Sequence, residues 1–118
     1  MTEITNATEK EEICDKLTKL LNENKYRFTT KASRLIDLDS SWTEIAVIEG
    51  MKLHAILKNP IYWEMSKKEG CEDDVIFLMK PCICDFSRWI DFKFAQDENG
   101  EDCLVVIISA HKDREIYC

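Results

Sequence analysis

Between residues 8 and 23, apolar side chains recur at helical intervals: Ile13, Leu17, Leu20 and Leu21 fall at i, i+4, i+7 and i+8. Thr8 and Glu11 have capping-box spacing, and Asn22 and Asn24 supply stop signals, so an amphipathic helix is predicted there. Short alternating runs around Phe28 and around Leu35 to Leu38 predict one or two strands. Residues 42–57, WTEIAVIEGMKLHAIL, admit two readings. A second capping box, Ser41 with Glu44, favours a helix, but Glu49 and Lys52 would interrupt its apolar face. Folded as a hairpin about Glu49-Gly50, one face collects Ala46, Ile48, Met51, Leu53, Ala55 and Leu57; the hairpin is preferred.

Asn59-Pro60 has the form of an N-cap followed by proline at the first helical position, which predicts a short helix through Glu69. It would end with Lys67 and Lys68 in its last turn and Gly70 beyond. VIFLMK, residues 75–80, has the form of a buried strand. RWIDFKFAQ and CLVVIISAH flank DENGED, whose Asn99-Gly100 is a strong hairpin signal. A two-residue turn there pairs Phe94 with Val105 and Phe92 with Ile107 on one face. Ala95 with Leu104, Lys93 with Val106 and Asp91 with Ile108 then share the other. The sum is class α+β: an N-terminal helix and a short central helix packed on a mainly antiparallel sheet ending in a C-terminal β-hairpin.

Composition fits a single α+β domain over residues 1–118, with three glycines, two prolines and no repeat to divide it. Charge narrows the function classes more. With 23 Asp and Glu against 16 Lys and Arg, the net charge is −7, which repels phosphate backbones. The densest basic stretch is only Lys67-Lys68, so direct nucleic-acid binding is disfavoured and a basic protein surface is the compatible partner. The polar N-terminus has no signal-peptide core, and no segment is long enough to span a bilayer; no membrane association and a cytoplasmic location are expected.

In a reducing cytosol the six cysteines would be free thiols or metal ligands. Cys82 and Cys84 stand one residue apart. In an extended strand their Cα atoms lie about 6.5 to 7 Å apart, whereas two sulfurs on one zinc lie under about 4 Å apart. Core packing of Cys82, Cys84 and Phe86 on one strand face is the preferred reading, with no metal and no cofactor. The alternative is a small metal-binding protein or metal-dependent enzyme using Cys82, Cys84 and His111, with Cys71, Cys103 and Cys118 as further sulfurs.

The hairpin tip is the more suggestive feature. The proposed register sets Glu98 opposite Glu101 and Asp97 opposite Asp102, like charge facing like charge. A calcium-loop alignment puts Ala95 and Val106 at essential carboxylate positions, so that chemistry fails. Asp91-Phe92-Lys93, with Asp73, Asp74 or Asp85 upstream, has the form of a metal-dependent nuclease strand, but in an acidic chain without a phosphate-attracting cleft it reads as a surface pair. His54 or His111 could meet a cysteine in space, yet no nucleophile elbow or phosphate loop accompanies them. Trp42, Tyr62, Trp63 and Trp89 sit among charged residues. Tyr62 and Trp63, adjacent on a helix, could not both face its core, which makes Trp63 a candidate contact.

The expected function is therefore a non-enzymatic, acidic protein-binding module. Its partner-binding residues would be Asp97, Glu98, Glu101 and Asp102 at the tip, Glu72, Asp73 and Asp74, and Trp63, with no catalytic residue and no bound metal. In its sharpest form it is an inhibitor that masks a basic nucleic-acid-binding surface, as small acidic anti-defence proteins of phages do; that likeness is of size and charge, not of residues. A homodimer is the structural alternative.

Overall fold

The computed structural model describes residues 1–38, 42–65 and 74–117, with the side chains of 112–117 excepted. The first helix, α1, covers Ala7–Asn22. Its cap is Asn6 and not Thr8: the Asn6 side chain accepts from the Glu9 N–H at 2.9 Å, an N-cap two residues upstream of the expected one. Ile13, Leu17, Leu20 and Leu21 are all buried, and Cys14 joins them, its thiol pKa pushed up by burial. Asn24 ends the helix in the left-handed region (φ 59), where asparagine is tolerated, and Lys25 N donates to Leu20 O at 2.8 Å.

A short strand, Thr2–Glu3 (β1), precedes α1, and Tyr26–Phe28 (β2) follows it. The strand expected at Leu35 to Leu38 is instead the end of a helix, Thr30–Asp37 (α2), capped by Thr29. Ala32 and Ile36, four apart, are its buried positions, the spacing of a helix face and not the two-residue period expected of Leu35 to Leu38.

The hairpin preferred for residues 42–57 is also a helix, Glu44–Ile56 (α3), capped by Thr43, whose hydroxyl accepts from Ala46 N at 3.2 Å. Val47, Ile48, Met51, His54 and Ala55 form its inner face, while Ile45, Leu53 and Ile56 point outward. Apolar residues on both sides erase the one-sided pattern that identifies a helix from sequence. Gly50, expected at a turn, sits inside the helix because a strand crosses there: a Cβ on it would lie 2.6 Å from Ile83 Cγ1. Gly50→Ala is expected to lower stability by about 1–2 kcal/mol, the overpacking exceeding the helix-propensity gain. In urea unfolding, the same change on an Ile83→Ala background should cost far less.

α3 ends in a Schellman motif, with Lys58 at φ 54 and Asn59 N donating to His54 O. Asn59-Pro60 therefore closes one helix and does not open another. Residues Ile61–Met65 form a strand, β3, and the remainder of the expected helix, with Lys67 and Lys68, lies outside the described residues. His54 is buried, and its Nε2–H donates to Pro60 O at 2.8 Å. Burial, with the nearby Lys10 charge as a smaller cause, holds its pKa below the usual imidazole value against the opposing Pro60 and Asn59 bonds. The unfolded chain therefore takes up this proton first as pH falls below about 6.5, so stability should drop there. Urea midpoints at pH 8 and pH 5.5 test this, and a His54→Gln variant should show the smaller difference.

Val75–Met79 (β4), Cys82–Ile83 (β5), Phe86–Gln96 (β6) and Asp102–Tyr117 (β7) complete the fold. Among the described residues the sheet has seven strands in the order β1-β3-β4-β6-β7-β2, with β5 pairing to β6. All pairs are antiparallel except β2 with β7. Helices cover one face: Ile61, Met79, Ile90, Phe92, Val105, Ile107 and Ala110 share a single apolar cluster with α1, α2 and α3. Ile76, Leu78 and Val106, alternating with them, are buried on the other face. Among the described residues, no helix is long and apolar enough to cross a membrane.

The β6–β7 hairpin forms in the expected register from Phe92 to Ala95. A bulge then places Asp91 opposite Ser109 rather than Ile108, and Ser109 Oγ donates to Asp91 Oδ2 at 2.6 Å. The Thr29 hydroxyl and N–H donate to Ile108 O and Ile107 O, tying the α2 cap to the bulge.

Candidate functional site

Strands β4 and β6 are paired only where Phe77 to Met79 face Ile90 to Phe92. Beyond that ladder, Asp74 and Val75 on one side and Lys93 to Gln96 on the other border an opening flanked by the first turns of α1. The result is a groove of about 750 Å³, within the size range of ligand sites. Trp63, Val75, Phe77, Phe94 and Ile13 give it an apolar lining. The Phe77 and Phe94 ring centroids are 5.6 Å apart, edge to face, above the buried Phe92, and Trp63 remains 36% exposed.

Charge is arranged along the rim. Lys16 pairs with Asp102 while lying 5.1 Å from the Phe94 ring centroid, and Lys93 Nζ pairs with Asp74 Oδ2 at 3.1 Å. Both ammonium groups are thus held by carboxylates. Glu9 has no ion-pair partner among the described residues, so the lining is net negative by one charge: three carboxylates against two lysines. Exposed aromatic faces beside a free carboxylate suit a cationic or apolar side chain.

The hairpin tip continues this rim, because Gln96 and Asp102 line the groove and are its last paired residues before the loop. The loop differs from the two-residue turn expected. Asp97 N donates to Glu101 O at 2.9 Å, and Gly100 takes φ 76, giving a three-residue loop with a glycine bulge. Asp97 Oδ1 accepts from Asn99 N and Glu101 N at 2.9 and 3.0 Å. Those bonds draw the Asp97 carboxylate into the loop, and Gln96 rather than Asp97 faces Asp102. The expected like-charge confrontations are absent; Glu98 and Glu101 stay exposed, with no ion pair among the described residues.

Of the residues expected to bind a partner, the structure brings Trp63, Asp74 and Asp102 into one groove and places Glu98 and Glu101 at its end. Asp97 is a loop-forming residue, and Glu72 and Asp73 lie outside the described residues. Tyr62 and Trp63 are adjacent on a strand and not on a helix, so they face opposite ways: Tyr62 packs 6.4 Å from Trp89, while Trp63 enters the groove. Glu9, Lys16, Phe77 and Phe94 were not anticipated. Only the Glu9–Ile13–Lys16 spacing hinted at a shared helix face.

The cysteine expectations fail in two ways. Cys82 is engaged in a disulfide, so not every sulfur is a free thiol, while Cys14, Cys84 and Cys103 are free. Neither Cys82 nor Cys84 is in the core; both are exposed. Ile83 pairs with Phe86 across a tight turn in which Cys84 and Asp85 both have positive φ (51 and 71), so Cys84 leaves the strand face. β5 and β7 flank β6 on opposite sides, where Cys82 pairs with Ser87 and His111 with Trp89, which puts the two about 12 Å apart across the sheet. Asp91 and Lys93 are each engaged elsewhere, with Ser109 and Asp74. Among the described residues, no three His, Cys, Asp or Glu side chains gather as a metal requires. Comparison of the chain with protein-family models, curated proteins and solved structures returns no match.

Proposed function

We propose that this protein is a binding module that grips a basic region of a partner protein between its groove and its hairpin tip. The observation that carries the reading is convergence: Trp63 from β3, Asp74 before β4, Asp102 from β7 and Glu9 from α1 border one opening beside the exposed Glu98 and Glu101. Aromatic surface surrounded by charge is the composition of interface anchors, and an overall charge of −7 speeds encounter with a basic surface. Masking a nucleic-acid-binding surface is the use such a module serves best, since the carboxylates would occupy positions that phosphates take. Affinity capture from the native host tests it. A partner should be enriched on the wild-type chain and depleted about tenfold or more on a Glu98→Lys/Glu101→Lys variant. Equal recovery on both chains would reject the reading.

A homodimer is the second reading, favoured by Ile45, Leu53, Ile56 and Leu57, which are 55–75% exposed along α3 and its cap. A doubled mass in sedimentation equilibrium, abolished by Ile45→Glu/Ile56→Glu, is its expected signature.

A further inference from the structure

We infer that the groove accepts its partner as an added β-strand, hydrogen-bonded to the backbone of Phe94; this rests on the groove being the binding site. Val105 N donates to Lys25 O on the β2 side of β7, and Ile107 O accepts from Thr29 N on that same side. Val105 therefore turns its main-chain groups away from β6. In an antiparallel ladder, its cross-strand neighbour Phe94 must then turn its own N–H and C=O away from β7, toward β4. Phe92 has the same orientation and is answered there by Phe77. Phe94 is not: the β4–β6 ladder stops at Phe77 and Phe92, and no β4 residue pairs with Phe94.

A strand position whose main-chain groups face a groove with an aromatic lining, without a ladder partner there, is the arrangement that strand addition uses, with main-chain bonds giving affinity and alternate side chains giving specificity. The occupant is an extended segment of a protein partner. Its alternate side chains would lie on Trp63 and Phe77, and a basic residue would meet Glu9 and the tip carboxylates. Register follows from the pleat: one residue of the guest pairs with Phe94, and only the guest edge facing β6 needs free N–H groups.

The probe is acetyl-Lys-Val-Lys-Val-Lys-Val-amide, with two versions N-methylated at alternate residues so that each blocks one edge. Binding is read by titration calorimetry and by protection of the Phe94 amide from exchange. Strand addition predicts that one methylated version binds at least tenfold more weakly than the other, and that the unmethylated peptide protects Phe94. If the peptide binds and is weakened by Trp63→Ala, but both methylated versions bind alike, the groove stands and strand addition is overturned. If the unmethylated peptide does not bind, or binds with no loss on Trp63→Ala, the groove reading falls with it.

Discussion

Truncating Phe92 to alanine is expected to lower the unfolding free energy by about 3–5 kcal/mol, the range for removing a fully buried aromatic ring. Phe92 is 0% exposed and lies at the centre of the helix-covered sheet face. It stacks on Phe77 at 5.5 Å and meets Phe94 edge-on at 5.8 Å, so its loss removes ring contacts as well as buried area. At about 4 °C per kcal/mol for a chain of this size, the melting temperature should fall by roughly 10–20 °C. Phe92→Leu, which keeps most of the volume, should cost less than half as much. Because Phe77 and Phe94 rest on this ring, the alanine variant should lose groove binding as well, even at temperatures where it remains folded.

The second large effect belongs to binding. Trp63→Ala is expected to weaken the captured partner by about 2 kcal/mol or more, roughly 30-fold, as truncation of a buried interface tryptophan does. Stability should barely change, because Trp63 is 36% exposed and lies outside the central apolar cluster. A fall in affinity without a fall in melting temperature separates a contact residue from a structural one. Trp63→Phe should recover part of the affinity, and Trp42→Ala, which removes a buried ring of the central cluster, should instead destabilise the fold.

These two residues also mark how far the sequence could be read. The hairpin carrying Phe92 was legible, because alternation and Asn99-Gly100 agreed, and α1 was legible because its apolar positions keep one period. α3 was not, because Ile45, Leu53 and Ile56 spread apolar character around the helix and Gly50 imitated a turn. Asn59-Pro60 misled for a related reason: the same pair opens helices and follows their ends, and only the bonds from Asn59 and Lys58 back to α3 decide which. The candidate site was half legible. Charge and aromatic content pointed to Trp63, Asp74 and Asp102. The groove that unites them arises because the β4–β6 ladder ends at Phe77 and Phe92, and no local pattern encodes where a non-local ladder stops. Cys82 and Cys84 show the same limit, since a tight turn with two positive φ angles overrode their strand-like spacing.

The claim on which all of this depends is that the carboxylates at the tip and groove rim face a basic surface. Titration of the captured partner at rising salt tests it most directly. Screening shortens from about 10 Å at 0.1 M to about 3 Å at 1 M, so affinity should fall at least roughly tenfold over that range. The fall should be markedly shallower for Glu98→Lys/Glu101→Lys. An affinity indifferent to salt, or equal for the two chains at every salt concentration, would contradict it.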